Sequence, residues 1–172
     1  MLPIVMILLQ IAGGDAAMCP AEASVQTVSS LVKSISFAAV YEVVDISEDT
    51  IPTDDGMQLH SYQSYLAQAL FGNPPSELDG YGFLVESSLP QYYFAITDRH
   101  RDMIENDSVV YSTGVVSYLE DENGQGRCVT LNEVVVGYRY LALGGVISPA
   151  SFEVVHSMND PWVEFVTEQV GK

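Results

Sequence analysis

Residues 109–143 read VVYSTGVVSYLEDENGQGRCVTLNEVVVGYRYLAL, and this stretch decides the fold. β-Branched and aromatic residues dominate both ends, and a polar, glycine-containing segment, residues 120–126, divides them. Such side chains suit a pleated, half-buried surface. The pattern therefore predicts two long strands, 109–119 and 127–143, joined as an antiparallel hairpin. Tyr138 and Tyr140 then share one face, since residues two apart on a strand point the same way.

Toward the N-terminus, Val25, Val28 and Val32 recur at helical spacing within residues 22–34 and predict a short helix. Residues 35–46 read as a strand, and residues 47–56 as an acidic loop holding Pro52 and the turn pair Asp55-Gly56. Leu59, Tyr62, Leu66, Ala69 and Leu70 form one apolar stripe, which predicts a helix stopped at Gly72-Asn73-Pro74-Pro75. Residues 82–85 and 91–97 read as strands, with Pro90 a bulge or turn between them. Past the hairpin, Gly144-Gly145 and Pro149 punctuate the chain. Trp162, Phe165 and Val166 after Pro161 predict a short closing helix.

The late strands do not alternate with helices, so a parallel doubly wound sheet is not expected. The order predicts an α+β domain with a curved antiparallel sheet of four to six strands packed on one or two helices. It resembles the general order of cystatin-like and cone-shaped NTF2-like folds. The alternative is a lipocalin-like β-barrel, which needs more strands than the pattern supplies.

The chain of 172 residues is the size of one domain, and its 48% hydrophobic content can fill a core. Six Lys plus Arg stand against 23 Asp plus Glu, for a formal charge of −17. That field repels phosphate backbones and anionic lipid head groups, so nucleic acid is not an expected partner. A basic protein surface, divalent cations or a neutral small molecule fits better.

Residues 2–11 form an apolar run, followed by small residues at Gly14 and Ala16 around Asp15. This predicts a signal peptide over residues 1–16, although Lys and Arg are missing from its start, and a single mature domain over residues 17–172. The run is too short to span a membrane, which takes roughly 20 residues. Two cysteines, Cys19 and Cys128, are then expected to form a disulfide in a secreted protein. Asn106-Asp107-Ser108 is the one glycosylation sequon.

For chemistry, Asp98-Arg99-His100-Arg101-Asp102 stands out, expected on a loop after a strand. His100 can serve as general acid or base with Asp98 or Asp102 setting its tautomer, and Arg99 or Arg101 can bind a carboxylate. A solvated loop whose charges pair with one another accounts for the same residues. His60 and His156 match no metal spacing. Asp121, Asn123, Gln125 and Gly126 begin like a calcium loop, but Asn132 stands where that loop needs glutamate. No Cys-x-x-Cys, Gly-x-Ser-x-Gly or phosphate-cradling glycine loop is present, and no cofactor is implied.

The expectation is a secreted acidic binding protein that engages a small apolar ligand or a basic partner. The alternative is a cofactor-independent isomerase, cyclase or dehydratase. In that case His100 and Asp98 do acid–base work in a sheet-lined pocket, and Tyr138 or Tyr140 holds the ligand.

Overall fold

The computed structural model describes residues 19, 27–52, 58–84, 89–120 and 124–172. The expected signal peptide, Val25, Asp54, Asp55, Asp121 and Asn123 lie outside the described residues. Among those described, helix α1 spans Val28–Lys33, α2 Leu89–Glu105 and α3 Pro161–Val170. The strands are β1 (Phe37–Pro52), β2 (Gln58–Gly72), β3 (Glu77–Leu84), β4 (Val115–Glu120), β5 (Gly126–Val134), β6 (Arg139–Gly144) and β7 (Phe152–Val155). They form one sheet in the order β4-β5-β3-β2-β1-β6-β7. All pairings are antiparallel except β3 with β5. The architecture is thus α+β, with seven strands where four to six were expected.

Several elements differ from the sequence reading, each for a physical reason. The stripe at residues 59–70 is strand β2, not a helix. Leu59 and Tyr62 are both buried but lie on opposite faces of the strand, so two covered faces imitate a three-residue helical spacing. Residues 91–97, read as a strand from their aromatics, belong to α2 instead. Ile96, His100 and Met103 of that helix are buried at spacings of four and three, the mark of one helical face. The charged run 98–102 therefore sits on a helix, not a loop.

The acidic segment expected as a loop from residue 47 is strand as far as Pro52. The strand expected over 109–119 opens as a 3-10 turn at Val109–Tyr111 before β4. The one expected over 127–143 is two strands. Gly137 turns at φ +85°, a backbone geometry that favours glycine, and the chain leaves β5 to re-enter beside β1 as β6. The hairpin itself holds, as β4 with β5, and so does the closing helix. Asp160 caps that helix and Pro161 sits in its first turn.

Alternation along β1 sends Ala38 and Val40 to one face and Ala39, Tyr41 and Val43 to the other. The first face packs on the helices through Leu31, Met103, Trp162 and Val166. On the second, Tyr62 of β2 stacks on Phe152 of β7 at 5.3 Å between ring centroids, and Phe152 stacks on Tyr140 at 4.8 Å. In a flat sheet β2 and β7, three strand spacings apart, would be separated by about 14 Å. The sheet is therefore curled toward this face into a half-barrel. Across the open side, Thr130 of β5 bonds the Ser148 carbonyl at 2.9 Å, and the Asn132 amide donates to the Phe152 carbonyl. Side chains span this seam.

Candidate functional site

Two sites stand out, one on each face of the sheet. The first is centred on His100, whose position on the inward face of α2 leaves it fully buried. Its Nδ1 lies 2.6 Å from Asp160 Oδ1, and its Nε2 lies 3.5 Å from Glu153 Oε2. Both carboxylates are sealed from solvent as well. Each is held by its own element. Asp160 Oδ1 accepts the Trp162 N–H at 2.9 Å as the cap of α3. Glu153 projects from β7, pairs across the ladder with Leu141, and so faces the helices. It accepts the Thr113 N–H at 2.8 Å and the Thr113 hydroxyl at 2.6 Å.

Burial pushes the imidazole toward the neutral form, but the hydrogen bond to Asp160 and the nearby Glu153 carboxylate outweigh it and raise His100 to about 9. At neutral pH an imidazolium is clamped between two carboxylates, tying α2, β7 and α3 together. This geometry favours the protonated ring and keeps it out of contact with solvent.

The sequence reading paired His100 with Asp98 or Asp102. The structure brings Asp98 to Arg101 instead, at 3.1 Å and largely exposed, on the outer side of the helix that buries His100. Arg99 and Asp102 are exposed on the same helix. Asp98, Arg101, His156 and Asp160 line a surface cleft of about 370 Å³. The partners of His100 come from positions 53 and 60 residues away, and no local signal announces them. One clue was available: Asp160 stands immediately before Pro161, the pattern of a capped helix start.

The second constellation is a cleft of about 380 Å³ at the end of the curled sheet. Phe37, Tyr62, Leu78, Ala142, Ile147 and Phe152 are among its apolar lining, Thr130 and Ser151 supply hydroxyls, and Asp79 a carboxylate. It forms because β3 and β5 pair only over Gly82–Leu84 with Asn132–Val134, so their earlier residues part around it. Burial raises Tyr62 well above the ordinary tyrosine range, with Tyr140 and Asp79 adding to the effect, so it stays a neutral phenol. At the rim, the Arg127 guanidinium stands 5.9 Å from the Tyr81 ring centroid. Tyr138 and Tyr140 lie beneath this wall in the core. The Tyr140 hydroxyl donates to the Glu133 carbonyl and accepts the Val135 N–H, both at 3.0 Å.

Cys19 and Cys128 form a disulfide, and Cys128 lies at the cleft. Asn106 is exposed at the end of α2, where its side-chain amide donates to the Asp102 carbonyl at 2.7 Å. His60 lies on β2 with Nδ1 2.8 Å from the Ser47 carbonyl. Among the described residues, no group of three or more His, Cys, Asp or Glu is placed to hold a metal. No described helix is long and apolar enough to cross a membrane. Compared with protein-family models, curated proteins and solved structures, the chain matches none.

Proposed function

We propose that this protein binds a small, largely apolar molecule in the cleft of its curled sheet, and that it does so outside the cell. One observation carries the first part: a concave space of about 380 Å³ walled by Phe37, Tyr62, Leu78 and Phe152, with Asp79, Tyr81, Arg127, Thr130 and Ser151 supplying polar groups around that apolar surface. That size sits at the lower end of ligand sites, which run from about 300 to 1,000 Å³ and are mostly apolar. The Cys19–Cys128 disulfide and the apolar head at residues 2–11 support the second part.

Binding is favoured over acid–base catalysis because His100, held between two carboxylates, is enclosed on the opposite face of the sheet. General acid–base work requires hydrogen-bond reach to the reacting proton, and His100 lines neither cleft.

Titration with the neutral fluorophore N-phenyl-1-naphthylamine tests the proposal. Saturable enhancement in the micromolar range is expected, weakened at least tenfold by Ile147→Trp, which places an indole at the cleft wall. Absence of saturable binding, or binding indifferent to that substitution and to the cleft-wall change Phe37→Ala, would count against it.

A further inference from the structure

The hydroxyls in the cleft carry a constraint that follows from counting protons. Thr130 Oγ1 lies 2.9 Å and Ser151 Oγ 2.8 Å from the Ser148 carbonyl, and the two oxygens are 2.7 Å from each other. Three hydrogen-bond distances are thus shared by two hydroxyl protons. If both protons pointed at the carbonyl, the two oxygens would meet lone pair to lone pair at 2.7 Å. The stable arrangement is a chain in which one hydroxyl donates to the other and that one donates to the carbonyl. Both protons are then used, and the pair turns only lone pairs toward the cleft. Thr130 is the more accessible of the two.

We infer that the cleft selects a neutral apolar alcohol, whose hydroxyl donates a hydrogen bond to the Thr130–Ser151 pair. This rests on the cleft being a ligand site. Ethers, esters and ketones bring acceptors only, and an acceptor facing these lone pairs loses its water without gaining a partner.

A carboxylate fares no better. Among the described residues lining the cleft, Arg127 is the one cation. Alternation along β5 turns it to the face opposite Val134, which is packed inside the curl. Its guanidinium is stacked over Tyr81 at the rim. An anionic head beside Thr130 would be buried without a counter-charge, in a chain of formal charge −17.

The test displaces N-phenyl-1-naphthylamine with three ligands of matched ten-carbon chain: 1-decanol, decyl methyl ether and decanoate. For the unaltered protein, decanol is expected to bind roughly tenfold more tightly than the ether, about the worth of one enclosed hydrogen bond. Decanoate is expected to be the weakest. Thr130→Val keeps the β-branched shape and leaves the Ser151 hydroxyl free to donate to Ser148, so the fold is retained. In that variant the decanol preference should collapse to less than twofold, with ether binding unchanged. Equal binding of decanol and ether, a preference that survives in Thr130→Val, or tightest binding by decanoate would each overturn the inference while leaving the cleft as a ligand site. If neither the fluorophore nor any of the three ligands binds, the ligand site itself fails, and the inference falls with it.

Discussion

Replacing His100 with glutamine removes the imidazolium that stands between Asp160 and Glu153, and the cost can be worked from the geometry. Both carboxylates are fully enclosed and lie on different elements, so neither can turn to solvent without opening the contact of α2 with β7 and α3. Breaking a buried pair by deleting one partner typically costs about 3–5 kcal/mol, because the remaining charge stays buried without compensation.

The linkage route gives a figure of the same order. The histidine is raised to about 9 in the fold from 6.5 in the open chain, a difference equivalent to about 3 kcal/mol. Because the folded value lies above the unfolded one, this contribution is fully present below pH 6.5. It is lost as pH rises through 9. Urea unfolding followed by far-ultraviolet circular dichroism at pH 6, 7.5 and 9.5, with the disulfide intact, reads both effects.

The unaltered protein should lose about 3 kcal/mol across this range, while the glutamine variant should start lower and show a much flatter alkaline slope. In thermal scans near neutral pH the variant should melt roughly 6–20 °C lower, at about 2–4 °C per kcal/mol for a domain of this size. Asp160→Asn is the control, since asparagine caps a helix as well as aspartate and removes only the charge. If His100→Gln unfolds within 1 kcal/mol of the unaltered protein and keeps the same alkaline slope, the clamp carries no stability and the reasoning fails.

Two further perturbations follow from the fold. The Cys19–Cys128 bridge closes a loop with a sequence separation of 109, for which the chain-entropy model gives a stabilisation of about 4–5 kcal/mol. Urea curves with and without reductant should differ by that order, and coincident curves would show that the bridge constrains nothing. At Gly114 an added Cβ would stand 2.2 Å from the Pro149 carbonyl oxygen and 2.7 Å from Asn132 Oδ1, both held in the seam. Gly114→Ala should therefore cost about 1–3 kcal/mol, and a thermal scan showing no loss would mean that the seam yields freely.

The sequence revealed the class of fold where local chemistry decided structure. The β4–β5 hairpin, the Pro161 helix and the Thr27-capped α1 all rest on residues near one another in the chain. It misled where tertiary contacts overrode local preference. Residues 91–97 have strand-like composition, yet they lie in the helix that carries Ile96, His100 and Met103 into the core. Strand β2 is covered on both faces at Leu59 and Tyr62, which erases the alternation that identifies a half-buried strand.

The sites followed the same rule. The His100 clamp gathers side chains from α2, β7 and the start of α3, and the cleft exists only because β3 and β5 part before they pair. Tyr138 and Tyr140 were legible as neighbours on one face. The curl that buries them beneath the cleft arises from ring contacts between distant strands, which spacing along one strand cannot express.

Strand β7 shows why the two constellations can coexist a single residue apart. Phe152 and Val154 point into the curl, whereas Glu153 and Val155 point toward the helices. A slip of one residue in the pairing of β7 with β6 would exchange these faces. The Glu153 carboxylate would then be thrust among Tyr62 and Tyr140, and Phe152 against His100 and the Asp160 cap. Neither exchange is tolerable, since an uncompensated charge among aromatic rings and an imidazolium missing one of its partners each cost several kcal/mol. The charged clamp therefore fixes the register of the edge strand that supplies an aromatic wall of the cleft. Through that register it sets where Phe152 stands in the cleft, from the opposite face of the sheet.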